Sequence, residues 1–217
     1  MEHIETITVR QALPMVFAGQ SFPHSRVWLS ELTLHRGDLY KIEAASGGGK
    51  SSLCAYIYGS REDYQGEILF NNEDIRTFDI ARWQEIRRKH LAYLPQDLSL
   101  FPELTAIENI QLKNRLTDFA TESEILGWLR RLGIEFRANF PCGRMSIGQQ
   151  QRVAIVRAIC QPFDFILLDE PVSHLDSENN LIAASLIEEI ASRQNAAVIS
   201  TSVGNPLALS APISLPL

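Results

Sequence analysis

An α/β fold, with a small antiparallel sheet ahead of its main sheet and a helical insertion within it, is what this sequence predicts. Three observations carry the prediction. An apolar run from Leu39 to Ala45 leads into three consecutive glycines, then Lys50, two serines and a helical pattern. Strand-like apolar runs and helix-like periodicities alternate from there to Thr201, as they do when helices cover the faces of a mostly parallel sheet. The alternation breaks between residues ~97 and ~145, where helical patterns follow one another without a strand. With 217 residues and 45% hydrophobic content, the chain is able to bury the core of one large domain or of a domain carrying an inserted subdomain.

In chain order, Ile4 to Val9 alternates apolar and polar residues, Leu13 to Phe17 is a second short apolar run, and Val27 to Leu34 mixes the two before the Arg36-Gly37-Asp38 turn. These read as short strands of an antiparallel sheet. Phe22 lies between polar residues, and two readings of it stay open: a core aromatic under a loop, or a flat ring for a base to stack on. The stretch Ile42 to Leu53 then has the order strand, turn, helix start. Glycines let consecutive N–H groups converge on one anion, the helix start adds partial positive charge, and a lysine reaches the outer phosphates. Ser46, Gly47, Gly48, Gly49, Lys50, Ser51 and Ser52 are therefore the expected polyphosphate cradle, with Ser51 the expected Mg²⁺ ligand and Ser52 holding a phosphate oxygen. Ala44 stands where the pattern G-x-x-x-x-G-K-[ST] has its first glycine.

A helix from Ser52 to Tyr58 ends at Gly59, Gly66 to Phe70 reads as a strand, and Ile80, Trp83 and Ile86 recur at helical spacing between Asp79 and His90. Arg82, Arg87, Arg88 and Lys89 on its other faces read as a solvated basic surface. Leu91 to Gln96 is an apolar strand ending on an amide that is placed to reach a metal-bound nucleotide. Helical patterns follow from Ala106 to Leu116 and from Glu122 to Leu132. Ser146 and Gln149 form a capping box at the head of an apolar helix, and the same free N–H groups and hydroxyl make a phosphate-binding surface. Phe163 to Pro171 is a buried strand with two carboxylates at its end, Asp169 suited to Mg²⁺ and Glu170 to polarising a water. Asp176 is placed to cap a helix from Ser177 to Arg193, and Ala196 to Thr201 is a last core strand.

Composition excludes several classes. No apolar run approaches the ~20 residues that span a bilayer, and the first residues lack the basic start and apolar core of a signal peptide, so a cytosolic chain is expected. The formal net charge of −6 argues against a dedicated nucleic-acid binder. Cys54, Cys142 and Cys160 are odd in number and have no C-x-x-C spacing, and two of them fall inside apolar helical patterns, where a cysteine is a small buried hydrophobe, so neither zinc nor a disulfide is expected.

The motifs together resemble the ATP-binding subunit of ABC (ATP-binding cassette) transporters, in the family's order and over nearly the whole length. Ala44 to Ser51 is similar to the phosphate loop, Gln96 to the Q-loop glutamine, Met145 to Gln149 to the L-S-G-G-Q signature, Phe165 to Glu170 to the Walker B strand, Ser173 to Asp176 to the D-loop, and Phe22 to the base-stacking aromatic. The F-P-E-L-T-A-I-E-N-I run and the length resemble the small cassettes of lipoprotein-releasing, macrolide-exporting and cell-division systems. The resemblance implies a P-loop NTPase with a RecA-like core, in which residues 1–96 and 146–217 form the nucleotide-binding core and 97–145 the helical subdomain. It implies ATP and Mg²⁺ as ligands, with Ser51, Gln96 and Asp169 toward the metal and Glu170 activating water. Ser146, Gly148, Gln149 and Asp176 would meet nucleotide across a head-to-tail dimer of cassettes, identical copies being the expected pair. An integral membrane permease on the cytoplasmic face is the expected second partner, contacted by residues ~97 to ~115, where Leu98, Leu100, Phe101 and Leu104 supply apolar groups. A soluble ATPase that remodels a cytosolic complex and a nucleotide-gated clamp with vestigial hydrolysis are the other readings.

The chain departs from the family at Ala44, at Ile147 in place of the signature's first glycine, and at Ser202. Ser202 stands where the family has a histidine that donates toward the γ-phosphate, and it is read as the catalytic substitute with slow turnover as the consequence. The Pro-rich tail after it carries no expected closing strand.

Overall fold

The computed structural model describes residues 3–20, 22 and 24–217. Its first strand, β1 (Thr6–Pro14), buries Ile7 and Val9 completely, in the period-two manner of a strand with one face on the core. It pairs antiparallel with β2 (Glu31–His35) and, on its other side, with β4 (Tyr64–Phe70), which pairs with the two-residue β5 (Glu73–Asp74). The antiparallel sheet is thus not wholly N-terminal, since β4 and β5 come after the glycine turn. Leu13 to Phe17 is not a strand of its own. Leu13 and Pro14 finish β1 beyond a register shift, and Met15–Phe17 is a single 3₁₀ turn. Val27 and Trp28 lie before β2, buried in the core of this half.

The second sheet has the order β6 (Leu91–Leu94), β7 (Phe165–Asp169), β8 (Ala197–Ser202), β3 (Leu39–Glu43), β9 (Ile213–Pro216), every pair parallel. β9 corrects the expectation of a strandless tail: it pairs with β3 from Tyr40↔Ile213 to Glu43↔Pro216. A proline is tolerated there because β9 is an edge strand. Alternation within β7 and β8 divides the core. Ile166, Leu168 and Val198 join the cluster under the helices that follow β6, while Phe165, Leu167 and Ile199 join the cluster shared with α1 (Lys50–Ile57) and the antiparallel sheet. Both faces are covered, as a parallel sheet requires.

Between β6 and β7 come α3 (Ala106–Asn114), α4 (Glu122–Arg131) and α5 (Ile147–Ile159), each opened by a capping box, on Thr105, Thr121 and Ser146. α3 and α4 pack on α5, and their buried residues share one cluster with α6 (Ser177–Arg193), whose N-cap is Asp176 as expected. Two side chains depart from their expected environment. Ile80, at the head of α2 (Ile80–Lys89), is 79% exposed, and Leu98 is buried while Phe101 is 54% exposed. Nor is Arg87 simply solvated: its guanidinium donates to the Tyr58 and Gly59 carbonyls and lies over Tyr58 and Trp83. The three cysteines are free and buried, and burial pushes Cys142 up to about 11 and Cys160 up to about 12, which keeps them thiols.

One buried polar network ties the N-terminal segment to β6 and β7. Asp164, 2% exposed, accepts hydrogen bonds from the Ile4 N–H and pairs with His3 and His90, and Arg36 Nε lies 3.2 Å from it. Burial pushes its carboxyl up, but the hydrogen bonds of His90, Ile4 and His3 outweigh burial and hold it below the ordinary range. Both carboxylate oxygens already have partners, so the His–His–Asp grouping is a structural tie and not an open ligand set.

Candidate nucleotide site at the carboxyl edge of the parallel sheet

Parallel strands deliver their following loops to one edge, and four of the expected motifs lie there. β3 runs into the glycine turn, β6 into Gln96, β7 into Asp169 and Glu170, and β8 ends on Thr201 and Ser202, with Asp169 in register with Thr201 and Glu43 with Ser202. Open α/β sheets hold ligands at this edge.

The turn is built for close approach. Gly47 and Gly49 have φ of 79° and 93°, the left-handed region that a Cβ disfavours. A Cβ on Gly49 would also lie 2.9 Å from the Trp28 ring and 3.1 Å from Phe17. Gly48 explains why alanine is tolerated at 44, because a Cβ on residue 48 would sit 2.9 Å from the Ala44 methyl, which its absence leaves room for. Trp28 Nε1 donates to the Gly48 carbonyl at 3.1 Å and holds the turn from beneath. Lys50, only 5% exposed, donates to the carbonyls of Ala44 and Ala45 at 3.0 Å each, so the ammonium curls over the same loop that would cradle phosphate.

Two adjoining cavities meet at this turn. One, about 370 Å³, is lined by Ser46, Gly47, Gly49, Lys50, Ser51, Ser52, Gln96 and Glu170, with Val16 and Phe17 on the wall. The other, about 930 Å³, runs along Ser51, Gln96 and Asp169 toward Tyr58, Phe101 and Lys113. The Ser51 hydroxyl and the Gln96 amide oxygen stand 3.5 Å apart. Asp169, 1% exposed, takes a 2.7 Å hydrogen bond from the Thr201 hydroxyl on one oxygen, and among the described residues nothing donates to the other. A hydroxyl, an amide oxygen and a half-satisfied buried carboxylate in one cleft form a donor set that fits a hard divalent cation such as Mg²⁺.

Glu170 has φ of 52°. A non-glycine residue held there carries strain of about 1–3 kcal/mol, which the surroundings must over-determine. They do so from both sides of the residue. Its N–H donates to the carbonyl and hydroxyl oxygens of Thr201 at 3.2 and 3.3 Å, and its carbonyl accepts from Gln151 Nε2 at 3.1 Å.

The chain does not bring every expected residue into one place. Phe22 tilts against Phe17 with ring centroids 5.4 Å apart, and it is Phe17 that lines the cavity beside Gly49. Ser146, Gly148, Gln149 and Asp176 line neither cavity. Ser146 is exposed at the head of α5, and beside it Ile147 is 48% exposed. Asp176 is occupied as the cap of α6, where hydrogen bonds from the Asn179 backbone and side chain hold its carboxyl below the usual range. Ser202 is 2% exposed, its hydroxyl has no partner among the described residues, and it too lines neither cavity. Sequence reasoning missed Phe17, Trp28, Gln151 and Thr201. Phe17 carries a signal, as the aromatic closing the Leu13 to Phe17 run, whereas the other three act by contacts across 19 to 32 positions of sequence that no local pattern records.

Comparison with known proteins gives a consistent result. The ABC transporter family pattern matches residues 29–173. LolD, the ATP-binding protein of the lipoprotein-releasing system of Shewanella denitrificans, is 34% identical over 175 residues, which are 77% of this chain and 73% of LolD. MacB, a macrolide export ATP-binding/permease protein of a Shewanella species, is 33% identical over 176 residues, 78% of this chain but only 27% of MacB. Among solved structures, the dimeric bacterial ABC transporter cassette MJ0796 superposes with a TM-score of 0.79 at 26% identity, covering 97% of this chain and 94% of that one. A second structure of that cassette, in a post-hydrolysis state with ADP and Pi, gives a TM-score of 0.74 at 25% identity, over 90% of this chain and 87% of that one.

Proposed function

This chain belongs to the ABC transporter family as one of its ATP-binding cassettes, and from that premise we propose that it binds and hydrolyses ATP, closes on a second cassette around the nucleotide, and so drives an integral membrane permease. The observation that carries the reading is the convergence of Lys50, Ser51, Gln96, Asp169 and Glu170 at one sheet edge, with Glu170 in a strained backbone conformation held from both sides.

The turn from Ser46 to Ser52 binds the triphosphate through converging N–H groups, and Lys50 exchanges the Ala44 and Ala45 carbonyls for phosphate oxygens. Phe17, backed by Phe22, is the aromatic wall for the base. Ser51, Gln96 and Asp169 hold Mg²⁺, which when bound neutralises charge on the phosphate oxygens. Glu170 orients the attacking water and accepts its proton. Ser146, Gly148 and Gln149 stand away from this cleft in their own chain and complete the site of a second copy, with the exposed Ile147 at that junction. The dimeric form of MJ0796 supports this arrangement. No helix among the described residues is long and apolar enough to cross a membrane, and MacB, which joins ATP-binding and permease parts in one protein, supports a permease as the membrane partner. Phe101 and Leu112 on the wall of the larger cleft are the groups offered to that partner at the cytoplasmic membrane face.

The test is sedimentation of Glu170→Gln with and without Mg·ATP. The variant retains ATP and is expected to sediment as a dimer only with nucleotide, and a monomer at saturating ATP refutes the sandwich.

A further inference from the structure

Resting on the ATPase reading above, we infer that Gln151, a residue with no contact to the nucleotide cleft, is a positioning residue for Glu170 and locks it to the 173–176 turn and the head of α5. Gln151 is 1% exposed and lies four positions past Ile147, on the helix whose first turn would face the other cassette. Its amide is saturated from both ends. Nε2 donates to the Glu170 carbonyl and to the Ser173 hydroxyl, each at 3.1 Å, and Oε1 accepts from the His174 N–H at 3.0 Å. Ser173 Oγ in turn lies 3.0 Å from His174 Nδ1. Glycine at 148 keeps the helix close enough for this, because a Cβ there would stand 2.9 Å from the His174 carbonyl.

The geometry gives Gln151 a task that packing alone does not explain. A buried side chain of that size needs only apolar neighbours, yet this one spends both amide donor and acceptor on backbone groups of the turn after β7. Left-handed Glu170 is held by two main grips, Thr201 on its N–H and Gln151 on its carbonyl at 3.1 Å, the latter joined only by a longer 3.4 Å bond from the Ser173 N–H. Release of the second lets the peptide after Glu170 rotate and swings the carboxylate away from the water it must orient. A displacement of about 1 Å at a reacting group costs on the order of 10²-fold in rate while leaving remote binding contacts intact. Gln151 also ties Glu170 to Ser173 and His174, so that a movement of the 173–176 turn against a second cassette is felt at the carboxylate.

The full chain is assayed as wild type, Gln151→Leu and Gln151→Glu for steady-state ATPase, equilibrium binding of a fluorescent ATP analogue, and thermal melting. Gln151→Glu keeps the size and the acceptor for His174 while removing the donor to Glu170, so it carries the test where the leucine variant does not melt cooperatively. Both variants are expected to lose kcat roughly 10- to 100-fold with KM and nucleotide affinity within about threefold of wild type. In the Glu170→Gln background, Gln151→Leu is expected to add less than about a threefold loss, since the two changes remove one function. Unchanged kcat in both variants, or the full loss repeated in the Glu170→Gln background, overturns the inference. A wild type that neither binds nor hydrolyses ATP overturns the ATPase reading itself. A wild type that binds ATP without hydrolysing it overturns this inference, there being no carboxylate step to position.

Discussion

Replacing Ser202 with histidine tests whether one missing donor limits turnover at this site. Ser202 ends β8 in register with Glu43, 2% exposed, and its hydroxyl makes no hydrogen bond among the described residues. A hydroxyl so placed and lining neither cavity delivers nothing to a transition state in the cleft, so Ser202→Ala should leave kcat unchanged. The same variant should melt slightly higher, because a buried unpaired hydroxyl costs about 1–3 kcal/mol that alanine does not. An imidazole reaches further than a hydroxyl. If it presents a donor to the developing charge, kcat should rise by about 10²- to 10³-fold with KM for ATP unchanged. Forcing a ring into a filled position costs about 1–3 kcal/mol, and at roughly 2–4 °C per kcal/mol for a chain of this size Ser202→His should melt lower by between about 2 and 12 °C. Steady-state ATPase of wild type, Ser202→Ala, Ser202→His and Glu170→Gln, each with its melting curve, reads all of this at once. Wild-type turnover equal to that of a folded Ser202→His, and abolished in Glu170→Gln, refutes the reasoning.

Two further outcomes are expected. Gly49→Ala places a Cβ against the Trp28 ring at φ of 93°, so the variant should lose stability by at least about 1–2 kcal/mol and bind the ATP analogue more weakly, in denaturant titration and equilibrium binding respectively. Burial first, then the neighbouring Arg157 and Arg87 charges, bring the Lys113 ammonium down to about 8 from 10.5; the unfolded chain therefore binds the extra proton between those values, and stability should rise with pH from about 8 to about 10.5. Lys113→Met should abolish that rise, so that the wild-type melting temperature gains on the variant's across this window, and a difference flat across it would show that the lysine is not desolvated.

The order of strands and helices was legible because it rests on local periodicity. The apolar run before the glycines, the capping pair Ser146 and Gln149, and the cap at Asp176 all have neighbours within a few positions to answer to, and each appears where the pattern puts it. Where pattern and structure part, a distant contact decided. The tail reads as a Pro-rich coil until β3 offers a free edge, and Leu98 reads as a surface residue until α5 and its neighbours bury it. Leu13 to Phe17 is apolar enough for a strand, but β1 has already used its first two residues and the chain must turn toward Asp63, whose carbonyl takes the Met15 N–H.

The chemistry divides in the same way. Residue types and their spacing determined that this protein carries a glycine-rich turn between a strand and a helix, a strand ending in two carboxylates and a helix opened by serine, because glycine conformational freedom, charge at a strand end and capping are properties of a few consecutive residues. Only the tertiary structure decided which groups share a cleft: that Phe17 is its aromatic wall, that Thr201 holds Asp169, that Trp28 supports the turn, and that Gln151 grips Glu170. Those relations come from parallel strands arriving side by side at one edge and from a helix packed across them, and hydrogen bonds between segments far apart in sequence leave no periodicity for a reader of the chain to find.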